Sequence, residues 1–95
     1  MTRYIILSRV SPEAFRDPKQ FREAAAAVSE KVREECPAVV WKDSYATMGR
    51  FDVVDLVESD NPLQGTRAAG IIRAYGHAAT ETLPATPWKE FLASL

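Results

Sequence analysis

The residues of this chain best suited to proton transfer lie in one central stretch, from Tyr45 to Glu58. Asp52 and Glu58 carry carboxylates and Tyr45 carries a phenol. A carboxylate beside aromatic rings in a cavity tends to have the raised pKa that general acid–base chemistry needs. Strand alternation places these side chains on one sheet face with Trp41. The stretch therefore predicts an acid–base site with Asp52 or Glu58 as acid or base and Tyr45 as hydrogen-bond donor.

The same carboxylates also have structural interpretations. Asp52 lies opposite Thr47 in the predicted hairpin, so its side chain could instead form a hydrogen bond across the turn and close it. Asp55, on the other face of the hairpin, lies near Lys42, and this placement predicts a cross-strand ion pair. Glu58 is as well suited to a solvated strand end as to a ligand contact.

Ligand contacts are predicted on the same face as the proposed acid–base site. Val54 and Leu56 would join Trp41 and Tyr45 there, with His77 nearby. His77 is the only histidine and follows a predicted helix C-terminus, where the helix dipole favours a positive ring. We predict neither a metal nor a cofactor, because no cluster of cysteine, histidine or carboxylate ligands surrounds it.

The elements that position these residues follow from apolar periodicity and from proline and glycine. The consecutive apolar residues 4–7 predict a strand buried on both faces, whereas apolar residues at steps of three or four from Phe21 to Cys36 predict a helix. Gly49 between two apolar runs predicts a tight hairpin. The predicted elements, in chain order, are strand 3–10, helix 18–35, strands 38–47 and 51–58, helix 62–75, strand 77–83 and a short helix from residue 86.

This β-α-β-β-α-β order is typical of the ferredoxin-like α+β fold, a four-stranded antiparallel sheet with two helices on one face. Two helices cannot cover the apolar groups predicted on both faces of such a sheet. An isologous interface uses one patch twice, so we expect a second copy to cover the open face, giving a homodimer at least. A small, partly apolar molecule would then bind between the sheet and the helices or at the dimer interface.

Length and charge limit the number of domains and the kinds of partner that this protein can have. Ninety-five residues with a net charge of −1 predict a single domain over residues 1–95. Basic and acidic residues are interspersed, so we expect no nucleic-acid partner, and no apolar run is long enough for a membrane span. Cys36 is the only cysteine and the N-terminus lacks the pattern of a secretory signal. We therefore expect a cytoplasmic protein.

Several stretches resemble the GYD domain family, small bacterial proteins of the dimeric α/β-barrel superfamily. The resemblance is strongest over residues 45–54 and returns at residues 57–58, 75–76 and 80–83. The Gly-Tyr-Asp element of the family is similar to Gly49, Phe51 and Asp52, with Arg50 between them and phenylalanine where tyrosine is usual. The resemblance implies a ferredoxin-like fold that pairs into a dimeric barrel.

The resemblance leaves the function open, because the wider superfamily mixes cofactor-free oxygenases, haem-degrading enzymes, isomerases and binding proteins. One hypothesis is a protein that binds a small, partly apolar molecule. Another is a cofactor-independent oxygenase or isomerase that uses a cavity carboxylate. A third is an interaction module whose exposed sheet edges add further strands.

Overall fold

The computed structural model describes residues 1–95, apart from the side chain of Phe15. The chain forms a four-stranded sheet, two long helices and a short C-terminal helix. Their bounds are β1 Thr2–Val10, α1 Pro18–Glu35, β2 Val39–Ala46, β3 Val53–Ser59, α2 Pro62–Gly76, β4 Ala78–Ala85 and α3 Trp88–Ala93, with a 3-10 turn at Pro12–Phe15.

The sheet is antiparallel and its strand order is β2-β3-β1-β4, which confirms the predicted ferredoxin-like fold. As its uninterrupted apolar run predicted, β1 is a central strand. Ile6 from β1 and Val57 from β3 are buried under the helices, where Val28 and Ile72 pack against them. Burying one such side chain is worth about 1.5–3 kcal/mol. This packing places α1 and α2 on one face of the sheet and leaves the opposite face, the open face, uncovered.

Both long helices begin where the sequence predicted. The side chain of Asp17 accepts a hydrogen bond from the backbone N–H of Lys19 at 3.0 Å, and a proline occupies the first helical position. The side chain of Asn61 does the same for the N–H of Leu63 at 3.0 Å. These bonds satisfy donors that the first helical turn leaves without partners.

Neither Gly49, which was predicted to form a tight turn, nor Gly76 adopts a positive φ. Gly76 is the last residue of α2, and the left-handed conformation after it belongs to His77, with φ 52° and ψ 49°. Thr47 closes the hairpin, since its backbone N–H donates to the Asp52 carbonyl at 2.9 Å and its hydroxyl donates to the Phe51 carbonyl. A β-carbon at Gly70, inside α2, would meet nothing within 4 Å.

A β-bulge in β2 changes which side chains share a face. Tyr45 lies opposite Val54, as predicted, but the register shifts between Trp41 and Asp43 because Lys42 is an extra residue without a partner on β3. Such a bulge reverses the alternation on one side of it. Trp41 therefore faces the helices, opposite the buried Val57, and the prediction that it shares a face with Tyr45 is wrong.

Candidate functional site

A pocket of about 250 Å³ lies between α1 and the helix-covered face of the sheet. It exists because short side chains face each other across the layers: Ala24 and Ala25 on α1, and Ser8 and Ser44 on the sheet. Longer apolar groups form most of its walls, including Val10, Phe21, Val28 and Ile72. Small-molecule sites share this character, a concave apolar surface with a few polar groups.

Among the described residues that line the pocket, Asp55 is the only one that carries a carboxyl, amino, guanidinium or imidazole group. It is 6% exposed and lies on β3, opposite Ser44 on β2. Burial disfavours the charged form and raises the pKa of this carboxyl above its ordinary value of 3.8, although the nearby Ser44 hydroxyl and Trp41 indole N–H oppose the shift. The carboxyl in the pocket is therefore that of Asp55, on the helix-covered face of the sheet, whereas the sequence predicted Asp52 or Glu58 on the opposite face.

A chain of hydrogen bonds orients the Asp55 carboxyl. The indole Nε1–H of Trp41 donates to Ser44 Oγ at 2.8 Å, and Ser44 Oγ lies 2.6 Å from Asp55 Oδ1. An indole N–H can only donate, so the Ser44 hydroxyl uses its own hydrogen toward Asp55. The predicted ion pair of Asp55 with Lys42 is wrong, because the carboxyl points under the helices and takes its hydrogen bond from Ser44.

Ser8 is the second polar group in the floor of the pocket. It is 2% exposed, and its Oγ has no hydrogen-bond partner among the described atoms. Asp55 is paired with Ile6 on β1, and Ser8 lies two residues further along on the same face. Such diagonal neighbours have α-carbons roughly 7–8 Å apart. The Ser8 hydroxyl and the Asp55 carboxyl thus flank one small volume of the pocket.

Tyr45, Val54 and Leu56 lie on the open face, away from this pocket. Tyr45 is 53% exposed, and its hydroxyl donates to Asp43 Oδ2 at 2.7 Å. This hydrogen bond raises the pKa of Tyr45, because it favours the protonated phenol beside a negative charge. Val54 and Leu56 are half-buried.

Asp52 and Glu58 lie at opposite ends of β3 and hold separate partners. The Asp52 carboxylate accepts the backbone N–H of Val10 at 2.8 Å, so it extends the ladder between β1 and β3. Glu58 pairs with Arg3 at 3.3 Å. Six residues of strand at about 3.3 Å each separate the two by about 20 Å, too far for both to contact one small substrate.

His77 lies outside the pocket lining, although its neighbours Gly76 and Ala78 contribute to it. The backbone carbonyl of His77 accepts the N–H of Ser11 at 2.9 Å, which ties the end of α2 to the end of β1. Among the residues described, no three histidine, cysteine, aspartate or glutamate side chains are grouped so that they could hold a metal ion.

Sequence reasoning missed Ser8, Ser44 and Asp55 as one site. Their signal is nevertheless present, because Ser8 interrupts an apolar alternation in β1 and Asp55 interrupts one in β3. A polar residue in a buried strand position is more informative than an exposed apolar one. The bulge that brings Trp41 to the same face has no such signal.

The fold and the pocket define the class of protein, a ferredoxin-like α+β domain with a concave apolar site under its helices. The GYD domain family model matches residues 4–95. The chain belongs to the GYD domain family, as the sequence resemblance predicted. No curated protein matches the chain significantly in sequence.

Two solved structures are similar to this one in fold. The crystal structure of FFRP-DM1 is 22% identical with a TM-score of 0.52, over 90% of this chain and 100% of that one. A candidate antibiotic biosynthesis monooxygenase from Caulobacter crescentus CB15 is 14% identical with a TM-score of 0.55, over 90% of this chain and 91% of that one. At these identities the similarity concerns the fold alone.

Across the part of the chain that the structure describes, none of the helices has the length and apolar character to cross a bilayer.

Proposed function

We propose that this protein binds a small, partly apolar molecule in the pocket between α1 and the sheet. The observation that supports the proposal most is the burial of Asp55 and Ser8 in the floor of a mostly apolar pocket. A folded protein gains little stability from a buried carboxyl or an unpartnered hydroxyl, since each carries a desolvation cost. A ligand that forms hydrogen bonds with Asp55 and Ser8 would offset this desolvation cost.

Filling the pocket tests the proposal. Ala24 lines the pocket from α1, whereas Ala26 is exposed on the same helix and does not line it. We expect Ala24→Phe to remove ligand stabilisation and the control Ala26→Phe to retain it. A ligand at 100 times its Kd adds about 2.7 kcal/mol to the free energy of unfolding, which a thermal-shift screen of small organic molecules detects.

Native mass spectrometry of protein purified from cells complements the screen. We expect a small retained molecule with the wild type and Ala26→Phe, but none with Ala24→Phe. Equal behaviour of the two variants in both assays would contradict the proposal.

We further propose that the protein works as a homodimer through its open face. Apolar residues remain exposed there on both edge strands, including Val40, Tyr45 and Leu83 at 42%, 53% and 45%. The apolar side chains of α3 are exposed as well, with Trp88 69% exposed. A second copy would cover this patch by an isologous contact.

The dimer is tested by placing a charge at the centre of the open face. Val54→Asp should convert a dimer into a monomer in light-scattering chromatography, because a carboxylate in an apolar interface is costly to desolvate. Thr66→Asp, on the exposed side of α2, is the control and should remain dimeric. A wild-type protein that is monomeric at micromolar concentration would refute the dimer.

An enzyme is the second candidate, a cofactor-independent oxygenase or isomerase. The observation that favours it is the buried carboxyl of Asp55, whose pKa is raised by burial toward values suited to proton transfer. The carboxylates of Asp52 and Glu58 already hold Val10 and Arg3. We therefore expect Asp55→Asn to abolish turnover if the protein is an enzyme, and Asp52→Asn to lower stability. A variant Asp55→Asn with full turnover would exclude the acid–base role of Asp55.

A further inference from the structure

We infer that the pocket selects an uncharged apolar molecule by its carbonyl oxygen, which accepts one hydrogen bond from the Asp55 carboxyl and one from the Ser8 hydroxyl. This inference rests on the proposed binding function and names the chemical class of the ligand.

The first step is the direction of the hydrogen bonds in the pocket floor. The Ser44 hydroxyl is directed at Asp55 Oδ1, which leaves Oδ2 as the carboxyl oxygen that Ser44 does not engage. The Ser8 Oγ, a diagonal neighbour on the adjacent strand, has no partner among the described atoms. A ligand oxygen between these groups would therefore meet two polar partners at once.

The second step is the charge of the ligand. Among the described residues that line the pocket there is no lysine, arginine or histidine. A carboxylate or phosphate would meet Asp55 without a compensating cation, so anionic ligands are disfavoured. A cationic amine could pair with Asp55, but it would have to lose its hydration against apolar walls such as Val28 and Ile72, which offer no polar contact.

The third step is the protonation of Asp55. Burial disfavours the charged form of a carboxyl that has no cationic partner, and in the protonated form the O–H of such a carboxyl is a donor. The rise in the pKa of Asp55 through burial agrees with this behaviour, and a ligand that fills the pocket buries the group further. Ser8 supplies a second O–H. Two O–H donors in the lining of one small pocket match a carbonyl oxygen, which has two lone pairs and no hydrogen of its own.

The size of the pocket limits the ligand. Its volume of about 250 Å³ lies just below the roughly 300–1,000 Å³ of ordinary ligand sites, so one aromatic ring with a short substituent is a suitable probe. Acetophenone, 1-phenylethylamine, benzoate and ethylbenzene share this size and differ in the polar group. They represent the neutral carbonyl, the cation, the anion and the purely apolar ligand.

Calorimetric titration of the full chain with these probes tests the inference. We expect acetophenone to bind about tenfold more tightly than ethylbenzene or 1-phenylethylamine, because two hydrogen bonds form without burying a charge, and benzoate to bind more weakly than any of the other three. Tighter binding of the amine, or equal binding of acetophenone and ethylbenzene, would overturn it.

Two variants make the test independent of the probe set. Asp55→Asn keeps an acceptor for Ser44 and places an amide N–H donor where Oδ2 lay, so acetophenone affinity should stay within about threefold. Ser8→Ala removes one donor and should weaken acetophenone about tenfold without changing ethylbenzene. Ser59→Ala removes a buried serine that bonds to Asn61 outside the pocket, and it should leave the affinity unchanged. Loss of acetophenone binding in folded Asp55→Asn would contradict a neutral donor.

The failure of this inference differs from the failure of the proposed function. If the amine or ethylbenzene binds best and Ala24→Phe blocks it, the pocket binds ligands but the carbonyl assignment is wrong. If no probe binds, or Ala24→Phe changes nothing, the pocket itself is refuted as the binding site.

Discussion

Replacing Ser8 by alanine should make the ligand-free protein more stable while weakening its site. The Ser8 Oγ is buried at 2% exposure and has no partner among the described atoms. An unsatisfied buried polar group costs about 1–3 kcal/mol, and we take about 1 kcal/mol because Ser8 faces a pocket. For a domain of this size, 1 kcal/mol corresponds to a rise in Tm of roughly 4–8 °C.

Ser59 gives a matched comparison of opposite sign. It is also fully buried, but its Oγ accepts the N–H of Asn61 at 3.0 Å and donates to the carbonyl of Asn61 at 3.1 Å. Ser59→Ala leaves the backbone N–H and the carbonyl of Asn61 without these two hydrogen bonds and should lower the free energy of unfolding by about 1–3 kcal/mol.

The assay is urea unfolding without ligand, followed by circular dichroism at a fixed protein concentration, because a dimer makes stability concentration-dependent. The reasoning predicts that Ser8→Ala shifts the midpoint to higher urea and Ser59→Ala shifts it to lower urea. If Ser8→Ala loses as much stability as Ser59→Ala, the Ser8 hydroxyl already forms a hydrogen bond within the protein and is not available to a ligand.

Three further predictions each concern one residue. Gly70 is exposed inside α2 and an added β-carbon would meet nothing within 4 Å, so Gly70→Ala should raise the free energy of unfolding by about 0.8–1.0 kcal/mol, and a lower urea midpoint would contradict this. Asp52→Ala leaves the Val10 N–H without its acceptor and should cost about 1.5–3 kcal/mol by thermal unfolding, whereas a change below 0.5 kcal/mol, typical of a surface site, would remove its structural role. Burial raises the pKa of Asp55 above 3.8 in the folded state, so the folded protein holds this proton more strongly than the unfolded chain. The contribution of Asp55 to the free energy of unfolding should therefore fall as pH rises from 3.8 through the folded pKa. Urea titration at several pH values should show that the stability advantage of Asp55→Asn over the wild type grows in that range and stays constant above it. A stability advantage that shrinks with rising pH would contradict the raised pKa.

The fold could be predicted from the sequence because its signals are local. The consecutive apolar residues of β1 predicted a central strand, and Pro18 and Pro62 predicted both helix starts. These patterns depend on neighbours in the chain, so no tertiary contact is needed to interpret them.

The candidate site could not be predicted in the same way, because it depends on a bulge and on packing across layers. Lys42 as an extra residue moves Trp41 to the helix-covered face, and no residue type marks that shift. Asp55 then meets Ser44 and Ser8 only after three strands are aligned. Asp52 shows the same limit, because its side chain could be expected to form a hydrogen bond across the hairpin, whereas its carboxylate accepts the N–H of Val10 on β1.

The most direct test of the account is a crystal structure of the protein soaked with acetophenone. The account predicts the ring between α1 and the sheet, with its carbonyl oxygen within 3.2 Å of both Ser8 Oγ and an oxygen of Asp55, the range of ordinary hydrogen bonds. Density for the probe only on the open face, or a pocket filled by the side chains of Phe21 and Trp41, would contradict it.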